Sequence, residues 1–305
     1  MEDEPCLMVV GGQHRFEAIR LALEKDVNEY HGVKVYFALD TEQRLDVQLI
    51  SNTNIAVSTD LLDRMYETVS GPELRSWCQQ VGLLDEGQDF ADKRQRGQPI
   101  TVRAARTFIM NYLAGKQVDP AKFDNTGTTP SVARTGTDDP EWKKLKQKNP
   151  AMWKDAGLKE AGRQFAALAQ AQRDHFIDKK TGKRSNFDFA EKALNYAVLS
   201  AWAFTAGVLA NNKVRLNRHF SLTESSGKDP LSCEALARGR HKTDPENYRG
   251  LGYRTDAKER GRFVELFYLQ AEKGERISKS LVDLAIKKYH AKQAMLEVRE
   301  AEGNV

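Results

Sequence analysis

The feature that most constrains the fold is the stretch 187–210, which carries apolar residues on every side of a helical projection. A membrane-spanning helix needs about 20 consecutive apolar residues. This stretch instead begins with charged residues and is interrupted by polar ones, namely Asp188, Glu191, Lys192, Asn195, Ser200 and Thr205. A helix that is hydrophobic all round and stays out of the membrane has to be covered by other helices. The sequence therefore predicts a helical bundle centred on 187–210, with no membrane partner.

Amphipathic patterns predict further helices on both sides of this stretch. They cover 60–69, 72–81, 101–113, 141–148, 160–177, 229–238, a segment capped by Thr255 or Asp256, and 278–300. Residues 115–140 are rich in Thr, Gly, Asp and Pro and have almost no apolar periodicity. That composition predicts a mobile linker or lid over 117–140. It would separate an N-terminal domain, 1–116, from a helical domain, 141–305.

The N-terminal part carries a different pattern. An apolar run over 6–10 predicts a short strand, two glycines break it, and Phe16, Ile19 and Leu23 recur at helical spacing. A helix start presents unpaired backbone N–H groups, and the helix dipole there favours an anion. The same glycines would also suit a helix that only packs closely on a sheet. The predicted phosphate site consists of Gly11, Gly12, Gln13, His14 and Arg15.

Two of these residues have side chains suited to phosphate chemistry. The Arg15 guanidinium would neutralise developing charge. The His14 imidazole would bond a phosphate oxygen or act as a general acid. His14 and Arg15 are therefore the candidate catalytic residues.

A second predicted strand, 33–39, leads to a helix start at Asp40, where Gln43 completes a capping-box pattern. Asn52 and Asn54 follow that helix, and their amides could bond a base, ribose or phosphate. Asparagines also cap helices and turn the chain without any ligand. Both interpretations stay open for this pair.

The string Gly12-Gln13-His14-Arg15, followed by Ala18 and Ile19, resembles the signature of the DGQHR-domain family, with Gly11 at the usual aspartate position. The resemblance continues over 33–61 and includes Asn52-Thr53-Asn54. The family is similar to the ParB and sulfiredoxin fold, in which this turn binds nucleotide phosphates. Gln13 replaces the sulfiredoxin cysteine, which speaks against sulfinic acid reduction. The resemblance implies an α+β protein, with a small ParB/sulfiredoxin-like αβ domain followed by a mostly α-helical domain.

Proteins of the DGQHR type accompany systems that modify DNA, by phosphorothioation in the DndB-like members or by insertion of 7-deazaguanines, and some are thought to hydrolyse ATP. The resemblance therefore implies a nucleotide-binding and nucleotide-hydrolysing accessory protein of such a system. Its cofactor would be ATP or another nucleoside triphosphate, with Mg²⁺. The alternatives are a non-catalytic DNA-binding regulator and a structural subunit that bridges partners through its last helix. Because ParB-like domains place further strands before this turn, the resemblance also implies an N-terminal truncation or completion by another subunit or a later segment. The last helix, 278–300, would be an outer helix of the bundle or the dimerisation surface of a homo-oligomer.

Two segments with basic residues predict DNA contacts. The polar stretch 82–99 holds one set, and 248–255 interleaves aromatics, glycines and arginines after a basic cluster at 238–242. Arginine binds phosphate or guanine, and tyrosine stacks on a base. A solvated loop and a glycine loop packed on the bundle are the alternatives. The predicted contacts are Lys93, Arg94, Arg96, Arg240, Arg249, Tyr253 and Arg254.

Composition and short motifs limit which partners, cellular compartment and metal sites the sequence predicts. The 47 basic and 43 acidic residues leave a net charge of +4, which alone does not establish a nucleic-acid partner. The three cysteines lie far apart and residues 1–4 are acidic, which predicts a reduced, cytoplasmic protein without structural zinc or a signal peptide. No P-loop motif and no histidine pair at metal-ligand spacing occurs in the sequence, so no metal site is predicted.

Overall fold

The computed structural model describes residues 13–25, 35–40, 43–44, 47, 58–95, 97–135, 139–178, 180–183, 185–224, 228–239 and 250–303, with side chains from residue 16 onward. Its α-helices are α1 (Gln13–Leu23), α2 (Thr59–Ser70), α3 (Glu73–Gln80), α4 (Val102–Gly115), α5 (Pro140–Lys148), α6 (Ala156–His175), α7 (Phe187–Ala190), α8 (Tyr196–Val208), α9 (Lys213–Phe220), α10 (Cys233–Arg238), α11 (Ala257–Lys273) and α12 (Lys279–Ala301). Short 3₁₀ turns occur at Pro120–Asn125, Met152–Lys154, Lys192–Leu194 and Ser221–Glu224.

Helix α8 lies at the centre of the bundle, as the apolar stretch predicts. Every one of its residues is buried, and it packs against α4 and α11, while α11 also packs against α9 and α12. The predicted single helix over 187–210 is wrong at its start, because Asn195 accepts a hydrogen bond from the Ala197 backbone N–H and so begins α8 at Tyr196. None of the helices in the described part of the chain has both the length and the apolar character needed to cross a bilayer.

The contact between α4 and α8 brings two backbones unusually close. A Cβ atom added to Gly207 would lie 2.1 Å from the Tyr112 carbonyl oxygen, and one added to Gly115 would lie 2.1 Å from the Phe204 carbonyl oxygen. Aromatic rings fill the space beside this crossing, with Phe108 and Trp202 centroids 6.1 Å apart. The two glycines therefore set the spacing of the central helix pair.

The α+β class and the ParB/sulfiredoxin-like domain over 1–116 are wrong for the described residues, which are helical and contain no β-strand. Residues 35–39 of the predicted second strand are described, and Ala38 there has a φ of 54°, in the left-handed region. Phe37 is 82% exposed. A strand needs a neighbouring strand for its backbone groups and a surface for its side chains, and β-propensity alone supplies neither. The first predicted strand, 6–10, lies outside the described residues.

Residues 117–135 of the predicted linker are held against the bundle. The Asn111 amide donates to the Ser131 carbonyl at 2.8 Å and accepts from the Ser131 N–H at 2.9 Å. Lys292 of α12 donates to the Thr128 hydroxyl at 2.7 Å. This segment therefore connects α4 to α12. The domain limits at 116 and 141 stay a prediction.

Candidate functional site

A cleft of about 530 Å³ opens at the start of α4, between two loops that are distant in sequence. Arg94, Gln95, Gln98 and Pro99 line it from the first segment, here called the first wall, and Gly252, Tyr253 and Thr255 line it from the second segment, here called the second wall. The floor consists of Thr101 and Ala104 of the α4 start together with Lys192, Leu194 and Asn195. The cleft therefore exists only because the two halves of the chain pack together here.

Arg94 is fixed in the first wall while its side chain remains exposed. Its Nη2 donates to the Leu194 carbonyl at 2.9 Å, and its guanidinium lies 4.4 Å from the centroid of the Tyr196 ring. Its backbone N–H donates to Asp60 at 3.0 Å. These contacts hold a cationic group at the cleft in a defined orientation.

Tyr253 belongs to the second wall and is 39% exposed. The Lys192 ammonium lies 4.2 Å from the centroid of its ring and donates to the Gly252 carbonyl at 2.9 Å. Asn195 donates to the same carbonyl at 3.1 Å. Lys192 is only 3% exposed, and this burial lowers its pKa. A buried cation therefore fixes both the loop backbone and the tyrosine ring.

Glu259 also holds the loop that carries Tyr253. Its Oε1 accepts a hydrogen bond from the Gly252 N–H at 2.5 Å. Gly252 has a φ of 84°, which favours glycine, and a Cβ there would lie 2.8 Å from Lys192 Cδ. Burial raises the pKa of Glu259 to about 7, although the Gly252 N–H and Arg262 lower it in part. The loop that carries Tyr253 is thus anchored on both sides.

We expect Glu259→Gln to flatten part of the pH dependence of stability. Because the pKa of Glu259 rises from 4.5 to about 7 on folding, the folded protein binds this proton more tightly than the unfolded chain. The resulting stabilisation is present below the unfolded pKa and is lost as the pH rises through 7. It amounts to at most ~3 kcal/mol. Glutamine keeps the acceptor for the Gly252 N–H without this titration.

Urea unfolding at about pH 5 and about pH 8 measures the effect. Relative to wild type, the Glu259→Gln variant gains stability at the higher pH. An equal difference between variant and wild type at both pH values would contradict the raised pKa of Glu259.

Two of the seven predicted DNA-contact residues lie in the same cleft. Arg94 and Tyr253 line the cleft, while Lys93 and Arg254 are exposed beside them in sequence. Arg254 Nε pairs with an Asp256 carboxylate oxygen at 2.6 Å. The other predicted contacts, Arg96, Arg240 and Arg249, lie outside the described residues.

The predicted phosphate site lies mostly outside the described part of the chain. This applies to Gly11, Gly12, Asn52 and Asn54, and to the side chains of Gln13, His14 and Arg15. The backbone of α1 begins at Gln13, so residues 13–15 occupy its first turn. The site itself stays a prediction.

The sequence analysis did not identify Lys192, Asn195 and Glu259, the three residues that hold the Tyr253 loop through Gly252. Lys192 and Asn195 were visible only as polar interruptions of an apolar stretch. Glu259 gave no signal, because a carboxylate in the first turn of a helix is common on a solvated surface. Within the described ranges, no group of three or more His, Cys, Asp and Glu side chains is placed to hold a metal ion.

Comparisons of the chain with families of known proteins, with curated protein sequences and with solved structures find no match. A functional proposal therefore rests on the residues and geometry of the cleft. The resemblance at 11–19 adds an expectation about the biological setting.

Proposed function

We propose that this chain binds DNA through the cleft, as a non-catalytic regulator of a DNA-modification system. One observation carries the proposal. Arg94 and Tyr253 come from segments in opposite halves of the chain that each look suited to DNA contact by sequence, and both line one cleft. The DNA-modification setting, whether phosphorothioate or 7-deazaguanine, rests on the resemblance of the first helix to DGQHR proteins.

The chemistry of the cleft fits a nucleic-acid strand. An arginine binds a phosphate through a fork of N–H donors, and a tyrosine offers a face for base stacking. The amides of Gln95 and Gln98 belong to the same wall as Arg94, and such amides bond the edges of bases. The side chains that line the cleft thus include an arginine suited to a phosphate, a tyrosine suited to base stacking and the three amides of Gln95, Gln98 and Asn195.

Net charge contributes little inside the cleft. Its lining includes Arg94 and Lys192 but also Asp188 and Glu191. Glu191 is neutralised by Arg173, with a nitrogen–oxygen distance of 2.9 Å. Binding therefore depends on a few directed contacts, so we expect a shallow dependence of affinity on salt.

The Arg94→Gln variant tests the proposal. We expect it to weaken DNA binding roughly tenfold and to reduce the slope of log affinity against log salt by about one contact. Fluorescence anisotropy with labelled DNA over a series of salt concentrations measures both quantities. The matched control is Arg163→Gln, because Arg163 is an exposed arginine of α6 that pairs with Glu160 and lies away from the cleft lining.

Arg94 also contacts the bundle, so thermal melting has to show that the variant is folded. A wild-type protein that binds no DNA would refute the proposal. So would equal weakening by Arg94→Gln and Arg163→Gln.

A second candidate is nucleotide binding, with hydrolysis, at residues 11–15. It is favoured by the start of α1 at Gln13, which places Gln13, His14 and Arg15 in a first turn without acidic residues. ATP or another nucleoside triphosphate with Mg²⁺ would be the ligand. Calorimetric titration with ATP, CTP and GTP should show binding that Arg15→Ala abolishes. Binding unaffected by that substitution would remove this candidate.

Association with other subunits of the modification system, or with a second copy of the chain, is part of the same proposal. It rests on the resemblance alone. Gel filtration and co-purification with the neighbouring gene products would test it.

A further inference from the structure

We propose that the cleft accepts one unpaired nucleotide of a single DNA strand, with its base stacked on Tyr253 and its phosphate at Arg94. This inference rests on the proposed function and specifies its ligand. A duplex in which every base stays paired and stacked would not fill the cleft.

The exposed face of Tyr253 supports an unpaired base. Within a duplex, the faces of the bases are covered by their neighbours in the stack. An aromatic side chain reaches such a face only in a single strand or when a nucleotide is extruded. An exposed ring in a cleft of about 530 Å³ is suited to one nucleotide, since small-molecule pockets span roughly 300–1,000 Å³.

The ring is positioned before any ligand arrives. Lys192 covers it at 4.2 Å, and the adjoining Gly252 is held through its carbonyl by Lys192 and Asn195 and through its N–H by Glu259. A side chain fixed in this way loses little conformational entropy on binding. The three side chains Lys192, Asn195 and Glu259 thus hold the ring and its loop in one position, as a surface for base stacking requires.

The first wall, which holds Arg94, offers a place for the phosphate. Arg94 and Arg103 both lie over the Tyr196 ring, at 4.4 and 5.0 Å from its centroid. They stand beside the start of α4, where the Thr101 side chain makes no capping hydrogen bond and no acidic residue occupies the first turn. The Arg94 guanidinium and the start of α4 at Thr101, with its positive dipole end, thus line the same cleft as Tyr253, while Arg103 lies outside the lining and donates to the Ala133 carbonyl at 2.8 Å.

The test compares two probes, a short labelled oligothymidylate and the duplex that it forms with its complement, by fluorescence anisotropy. We expect the single strand to bind at least roughly tenfold more tightly than the duplex. Tyr253→Leu should weaken single-strand binding by roughly 5- to 150-fold, the range that corresponds to stacking of one base. Tyr253→Phe should retain the wild-type affinity because the ring remains. The matched control is Tyr36→Leu, since Tyr36 is 50% exposed and lies outside the cleft.

The outcomes separate this inference from the function on which it rests. Equal affinity for duplex and single strand, or equal effects of Tyr253→Leu and Tyr36→Leu, would overturn the inference while DNA binding stands. Equal affinity for free thymidine 5′-monophosphate would assign the cleft to a free nucleotide and overturn strand recognition. A wild-type protein that binds neither form of DNA would refute the proposed function itself.

Discussion

Replacing Gly207 by alanine is expected to destabilise the protein by about 2 kcal/mol or more. The added Cβ would lie 2.1 Å from the Tyr112 carbonyl oxygen, so α4 and α8 would have to move apart. Overpacking of this kind costs roughly 1–3 kcal/mol and sometimes more. Alanine recovers only about 1 kcal/mol through its higher helix propensity. Because α8 is buried along its whole length, the shift would spread to α11.

Urea unfolding followed by far-ultraviolet circular dichroism measures this loss. Gly115→Ala should behave similarly, because its Cβ would meet the Phe204 carbonyl at 2.1 Å. Gly127→Ala is the matched control, since a Cβ there meets no atom within 4 Å. A Gly207→Ala variant as stable as the Gly127→Ala variant would show that the central helix pair is not spaced by its glycines.

The Arg106→Met variant is expected to lose about 3–5 kcal/mol of stability at neutral pH. Arg106 of α4 is 4% exposed and joins two buried carboxylates of α2. Its Nε donates to Glu67 at 2.9 Å, and its Nη1 lies 3.4 Å from an Asp63 oxygen. Methionine fills similar space but leaves both negative charges without the buried cation. Lys146 Nζ lies 4.0 Å from the other Glu67 carboxylate oxygen, too far to replace the Arg106 hydrogen bonds.

The control is the triple variant Asp63→Asn, Glu67→Gln, Arg106→Met, in which no buried charge is left alone. We expect the triple variant to regain most of the lost stability. An Arg106→Met variant that unfolds at the wild-type urea concentration would contradict a structural role for this ion-pair network.

Local patterns predicted much of the helical structure. The uniform apolarity of α8 indicated its central place. The capping box at Asp40 is formed, since Asp40 and Gln43 exchange backbone-to-side-chain hydrogen bonds of 3.0 and 2.8 Å. Asp256, one of the two capping candidates, accepts from the Glu259 N–H and begins α11. These features depend on residues within one or two helical turns, so a single sequence contains them.

The fold class could not be obtained in the same way. The β-branched and aromatic residues near Val35 look like a strand, but strand formation depends on a partner elsewhere in the chain. The cleft could not be predicted either, because it also depends on contacts between segments distant in sequence. The contacts of Lys192 with Tyr253, and of Arg94 with Leu194, join segments that no periodicity links. Local sequence composition predicted Arg94 and Tyr253 as separate DNA contacts. Only the packing of the folded chain shows that they line the same cleft.

Photo-crosslinking tests the central claim most directly. Single-stranded DNA carrying 5-bromodeoxyuridine is irradiated with the wild-type protein, and the crosslinked peptides are identified by mass spectrometry. We expect the attached base on the peptide containing Tyr253 and a lower crosslinking yield with the Arg94→Gln variant. Crosslinks confined to residues outside both walls of the cleft would contradict this claim.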